Sequence, residues 1–328
     1  ITHDINLSFS LLAGLATLFT ALILYETAVR ITARVSVAVV VALLYLLHPL
    51  VIFHGLVGLT YAFESLAVAS AGRLTLALFE TRSRKWFFLT AAIIPVLAGF
   101  RPSIVIGVLP FVVAQILLVR RPQVLMVGGA IGIGALHLWV IPFAAAVGGY
   151  SAAMNAVAGQ VRSLSLPHSI GISSLALLGF SLAIISPSVL PFLFAYPKTA
   201  ATLLRNPQAR LLAIAIAWQI GVFFFIPFGE VGYGMGVLPL GILLAAPLIA
   251  RSLDNRWKGR VLVGFVFAAL IVGSLIPPSW ITEKKLRAVL PVTIAEHDRD
   301  IQDTLELVRS YRTDEALVVV QRGQYRDK

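Results

Sequence analysis

Between residues 8 and 277 the chain repeats one pattern: a long apolar stretch, then a short polar junction. Ten such stretches can be read, at 8–28, 35–53, 60–79, 86–100, 103–119, 124–147, 169–196, 211–228, 233–250 and 261–277. A helix needs about 17–25 mostly apolar residues to cross a bilayer. In hydrocarbon each backbone polar group must be satisfied inside the protein, which makes helices the solution for runs of this length. The expected fold is an all-α polytopic membrane protein with about ten transmembrane helices. Composition agrees, with 59% hydrophobic and 12% charged residues against about 25% charged in soluble domains.

The net charge of +11 suggests a polyanion partner until it is located. Residues 1–282 hold 17 Lys and Arg against 6 Asp and Glu, whereas residues 283–328 hold 9 of each. The excess therefore lies in the junctions between apolar stretches, where cations set orientation rather than recruit nucleic acid. Alternate junctions carry Arg30 and Arg34; Arg82, Arg84 and Lys85; Arg120 and Arg121; Lys198, Arg205 and Arg210; and Arg251, Arg256, Lys258 and Arg260. The intervening ones carry Arg101 and Arg162. By the positive-inside rule the first set is cytoplasmic, in an inner (plasma) membrane. The chain opens at Ile1 with no signal-peptide pattern, so the expectation is a further helix upstream.

Two domains are expected: a transmembrane part, 1–282, and an extracytoplasmic polar tail, 283–328. In the tail, Ile294, Ile301, Leu305 and Val308 form a helical stripe and 316–320 an apolar strand candidate, a small α/β-type element. With no cysteine, disulfides, thiolate metal sites and cysteine nucleophiles are excluded.

The candidate site is the stretch HPLVIFHGLVGLTYAFES, 48–65. A carboxylate inside a span is costly and marks a site by default, which singles out Glu64. Tyr61, Glu64 and Ser65 fall on one helix face, with His54 on the outer surface just before it. The face turns apolar at Val68, and Arg73 is expected to snorkel to the cytoplasmic side. Glu26 and Arg30, four apart, read as an interfacial pair. At GFRPS, 99–103, Pro102 starts a helix and Arg101 stands beside its N–H groups, a seat for phosphate or an interfacial anchor. His137 and Trp139 read as packing residues. Residues 148–168 read as a helix in the interface. A glycine-rich outer junction, 227–234, presents Glu230 and Tyr233. With His168 and Arg162 these residues gather at one membrane face, a cation for an anionic group and carboxylates for hydroxyls. No zinc or nucleotide spacing is present; the residues identify no cofactor, and a divalent metal is compatible with the carboxylates.

The runs PLVIFHGLVGLTYAFESLAVA, LAGFRPSIVIGVLPFVV and GEVGYGMGVLPLGILLAAPLIA resemble the GT-C class of integral-membrane glycosyltransferases, closest to its protein-mannosyltransferase-like and aminoarabinose-transferase-like branch. The resemblance implies transfer of a sugar from a polyprenyl-phosphate donor to a lipid, glycan or protein acceptor outside the cytoplasm. It implies that Arg101 holds the donor phosphate, that Glu64 and Tyr61, with His54 nearby, line the sugar or acceptor pocket, and that Glu230 and Tyr233 meet the lipid carrier. The class carries its catalytic carboxylate in the first outer loop, which here would lie upstream of Ile1. The alternatives are an ion-coupled transporter or lipid flippase, and a non-catalytic membrane scaffold.

Overall fold

A computed structural model of the chain describes residues 5–56, 60–155, 186–225 and 234–275. The regular structure among them is helical: α1 (Ile5–Thr32), α2 (Val35–Leu46), α3 (Pro49–Leu56), α4 (Tyr61–Thr81), α5 (Lys85–Ala98), α6 (Ile104–Gly107), α7 (Leu109–Val119), α8 (Pro122–Val147), α9 (Ser186–Ala195), α10 (Pro197–Leu203), α11 (Pro207–Phe225), α12 (Gly234–Asp254) and α13 (Arg256–Leu275). Residues 150–155 begin a further helix. The bundle belongs to the first of two compact units, Ile1–Gly273, the second being Ser274–Lys328. Glu230, Tyr233, Arg162, His168 and the tail lie outside the described residues.

Four helices among the described residues are long and apolar enough to cross a membrane: Ser8–Thr32 within α1, α4, α8 and α12. Large apolar side chains on α1 and α8 face outward, among them Leu11, Leu22, Met126 and Leu138. Such an outward apolar surface suits a lipid environment.

The centre of the bundle is α4. Apart from Leu66, every residue from Tyr61 to Leu78 is buried, because α1, α5, α7 and α12 all pack against it. Small residues allow that enclosure: Ala62, Ala67, Ala69, Ala71 and Gly72 let neighbouring backbones approach.

Prolines explain where the expected spans break. The stretch 35–53 divides at His48, because the residue before a proline is pushed away from helical geometry and Pro49 starts a new helix. His48 Nδ1 accepts the Leu50 N–H there at 3.3 Å. The stretch 103–119 divides at Val108, since Pro110 in the first turn of α7 has no N–H to give to Ile106. Trp218 Nε1 on α11 donates to that carbonyl at 2.8 Å, and Gln219 Nε2 to the next, Gly107, at 3.4 Å. Pro239 likewise leaves the Met235 carbonyl of α12 without an intrahelical partner, and Ser65 Oγ on α4 donates to it. Pro110 and Pro239 thus each expose a backbone acceptor, and a side chain of another helix docks on it.

The polar character of α4 does not stop at Val68, contrary to expectation. Gln115 Nε2 on α7 donates to Thr75 and to Thr90, both at 2.8 Å, which joins α4, α5 and α7 through one amide. Arg73 does not snorkel. It is 6% exposed, and its Nη2 lies 2.7 Å from Glu26 Oε1, so Glu26 serves Arg73 as well as Arg30. Arg30 also approaches Glu80 at 3.9 Å, Gln208 Nε2 donates to Glu80 at 3.3 Å, and Arg34 pairs with Asp254. These contacts bring the junctions near 30–34, 80–85, 206–208 and 250–254 together at the end of the bundle away from Glu64. His137 is half-buried, its Nδ1 2.7 Å from the Ile133 carbonyl, and Trp139 Nε1 donates to the Pro95 carbonyl at 3.1 Å.

Candidate functional site at the start of the central helix

The first turn of α4 carries Tyr61 and Glu64 inward, and the α5–α6 junction brings Arg101 to meet them. Arg101 Nε lies 2.8 Å from Glu64 Oε2. The single Nε–H is directed at Ser103 Oγ, 2.9 Å away, and the carboxylate of Glu64 pairs with the same end of the guanidinium as an ion pair. Arg101 Nη1 donates to Thr60 Oγ1 at 3.2 Å. The guanidinium also covers the Tyr61 ring, its central carbon 3.9 Å from the centroid, an arrangement the ring quadrupole favours.

The pair is enclosed. Glu64 is 4% exposed, and the Arg101 side chain 13%. The His54 ring stands 4.9 Å from the Tyr61 ring and is tilted to it by 58°. Next to Arg101, Phe100 stacks on Phe63 with centroids 4.0 Å apart and rings nearly parallel. His54, Tyr61, Arg101 and Glu64 are therefore successive neighbours at one end of the bundle.

Two expectations are corrected here. His54 is not on the surface: α3 continues past the proline and buries it against Tyr61. Burial first, and the Arg101 charge second, hold its imidazole down to about 4, so it is neutral at pH 7. Arg101 does not head a long helix with N–H groups to offer, because α6 is a single turn. Its charge is engaged by Glu64 instead.

The floor of the site comes from residues that sequence reasoning passed over. A Cβ on Gly236 would stand 2.6 Å from Gln219 Oε1 and 3.2 Å from Glu64 Oε1. Gly236 thus lets α12 approach the Glu64 carboxylate and the Gln219 amide together, and Gly107 adds a second open position 3.8 Å from Glu64 Oε1. Gln219 Oε1 is buried without a donor among the described residues. A signal for Gln219 existed: it is the one amide in the apolar stretch 211–228, and such a residue marks an interhelical partner.

The cluster can offer a guanidinium to an anion, a carboxylate and an amide oxygen to hydroxyl donors, and aromatic faces to a ring. Among the described residues no group of three or more His, Asp or Glu side chains is placed to hold a metal ion. No protein family, curated protein or solved structure matches this chain.

Proposed function

We propose that the chain is the membrane part of a glycosyltransferase of the GT-C kind, taking a sugar from a polyprenyl-phosphate donor and passing it to an envelope acceptor. The reading rests on one observation: an enclosed Arg101–Glu64 pair beside Tyr61, at one end of the most buried helix. In this reading the ten apolar stretches all span the membrane. The cation-rich junctions face the cytoplasm, and the Arg101 end faces outward. The tail 283–328 follows on that side.

The chemistry runs through exchange of partners. An arriving donor phosphate competes with Glu64 for the Arg101 guanidinium, since both are planar oxyanions suited to its fork. Once Arg101 turns to the phosphate, the enclosed Glu64 carboxylate needs new hydrogen-bond donors, and the hydroxyls of the sugar supply them. Tyr61 holds the guanidinium plane in both states. Glu230 and Tyr233 take the lipid-carrier end.

The test is binding of a short-chain polyprenyl-phosphate sugar to the full chain in detergent. Arg101→Ala should weaken binding roughly tenfold or more, the loss of one charge-assisted phosphate contact. Glu64→Gln should retain the phosphate, because the competing carboxylate is gone, while losing preference for the sugar. Arg121→Ala, an exposed cation at the start of α8, serves as the control. Unchanged binding by Arg101→Ala defeats the proposal, and ion-driven flux in proteoliposomes would move the chain to the transporter class.

A further inference from the structure

At the end of α4 opposite Glu64, a second charged cluster is left electrically incomplete. Arg73 is buried, and among the described residues its Nη2 has a partner, Glu26, while Nε and Nη1 are enclosed with none. Its guanidinium carbon lies 5.8 Å from the centre of the Trp86 ring. Lys85, the first residue of α5, places its Nζ 4.6 Å from the same centroid and is exposed, and among the described residues it makes no ion pair with a carboxylate. Trp86 is half-buried and anchored through Nε1, which donates to Thr81 Oγ1 at 2.9 Å. Arg30, Arg73 and Lys85 stand here against Glu26 and Glu80, and the adjoining α4–α5 junction adds Arg82 and Arg84 in sequence. Positive charge is in excess, and Glu26 is already shared by two guanidiniums.

An enclosed guanidinium with two unmet donors is costly, and the acceptor that meets both is a planar or tetrahedral oxyanion. The exposed Lys85 ammonium on the same indole adds to that preference. An indole at this position is characteristic of the boundary between hydrocarbon and headgroups. We infer that Arg73, Lys85 and Trp86 form a binding site for a phosphate ester, supplied by the headgroup of an anionic membrane lipid. The phosphate is held between the buried Arg73 and the exposed Lys85, with the acyl chains along the outer faces of α5 and α8. The inference depends on the membrane setting of the bundle and not on the transferase reading, since the donor site lies at the opposite end of α4.

The test uses the full chain purified in a non-ionic detergent and titrated with phosphatidylglycerol or phosphatidylcholine, with bound lipid counted by native mass spectrometry. Phosphatidylglycerol should bind roughly tenfold more tightly than phosphatidylcholine, whose choline brings a like charge to the cluster. Lys85→Gln, a surface change that leaves the fold intact, should remove most of that preference, and Arg73→Gln should remove it wholly. Arg121→Gln, a cation not facing Trp86, should leave it unchanged. Displacement of the lipid by millimolar inorganic phosphate would assign the same site to a free phosphate, and resistance to it assigns the lipid. Retention of phosphatidylglycerol by both Lys85→Gln and Arg73→Gln at the wild-type level overturns the inference. So does an equal loss in Arg121→Gln, which would mean diffuse surface charge.

Discussion

Removing Arg101 and removing Glu64 should not cost the same, although they break the same pair. A guanidinium and a carboxylate in contact attract by about 4 kcal/mol at an effective dielectric near 20. Desolvation of two enclosed groups offsets most of that, so the asymmetry decides the outcome. Arg101→Ala leaves the Glu64 carboxylate, 4% exposed, with no counter-charge and beside the Gln219 oxygen. A buried charge abandoned in this way costs about 3–5 kcal/mol. Glu64→Gln leaves Arg101 with Thr60, Ser103 and the face of Tyr61. Its charge also has a partial route to the surface, so the loss should be nearer 1–2 kcal/mol, about that of one hydrogen bond to a charged group. The double variant should be no worse than Arg101→Ala alone, since neither charge then remains, and the cycle should return a coupling of about 1–3 kcal/mol. The assay is reversible unfolding of the purified protein in mixed dodecylmaltoside and SDS micelles, followed by helical circular dichroism. Equal losses in the two single variants, or strict additivity in the double, would refute the reasoning, because both would mean that the pair is open to water.

Gly236→Ala should destabilise by about 1–3 kcal/mol through overpacking, since its Cβ would press on Gln219 and Glu64, while Gly129→Ala, with nothing within 4 Å, should be neutral in the same unfolding assay. Gln115→Leu removes two hydrogen bonds that tie α4 to α5 and α7; a loss of about 2 kcal/mol is expected, and an unchanged midpoint would mean the threonines repair one another. His54, held near 4 when folded, takes up a proton below pH 6.5 only when unfolded. Its contribution is therefore present above that pH and is lost as pH falls toward 4, by up to about 3 kcal/mol. Thermal midpoints measured across this window should drop in the wild type and drop less in His54→Gln; parallel curves would show that His54 is hydrated.

Helix placement was legible in the sequence because apolar length is a strong and local signal. The expected stretches 60–79 and 124–147 end within two residues of α4 and α8. The pairing of charges was less legible, because it depends on which helices become neighbours. Arg101 on its junction reads as an anion seat. Only the approach of the α4 face makes Glu64 its partner, and the brevity of α6 removes the helix that would have aimed N–H groups at a ligand. Arg73 reads as a snorkelling cation from its distance to the helix end, but small residues along α4 admit α1 closely enough for Glu26 to hold it.

The prolines show where a deeper reading was available. A proline inside an apolar run announces a carbonyl four residues earlier that its own helix will not bond, and in a membrane that carbonyl must find a donor elsewhere. Pro110 points to Ile106 and Pro239 to Met235. The scarce donors in the other stretches, Trp218, Gln219 and Ser65, are the natural candidates. Pairing donors with announced acceptors would have placed α11 against the α6–α7 break and α4 against the start of α12. Those two contacts bring Gln219 and Gly236 to Glu64. The floor of the site is thus a by-product of backbone groups that two prolines left unmet, and it was invisible to a search for charged residues alone. Replacing Ser65 with alanine tests the idea directly. If the Met235 carbonyl is an anchor, the variant should loosen the start of α12 and raise amide exchange at Gly236 and Val237, with little change in the rest of α4. Uniform exchange along both helices would instead make Ser65 one small packing residue among many.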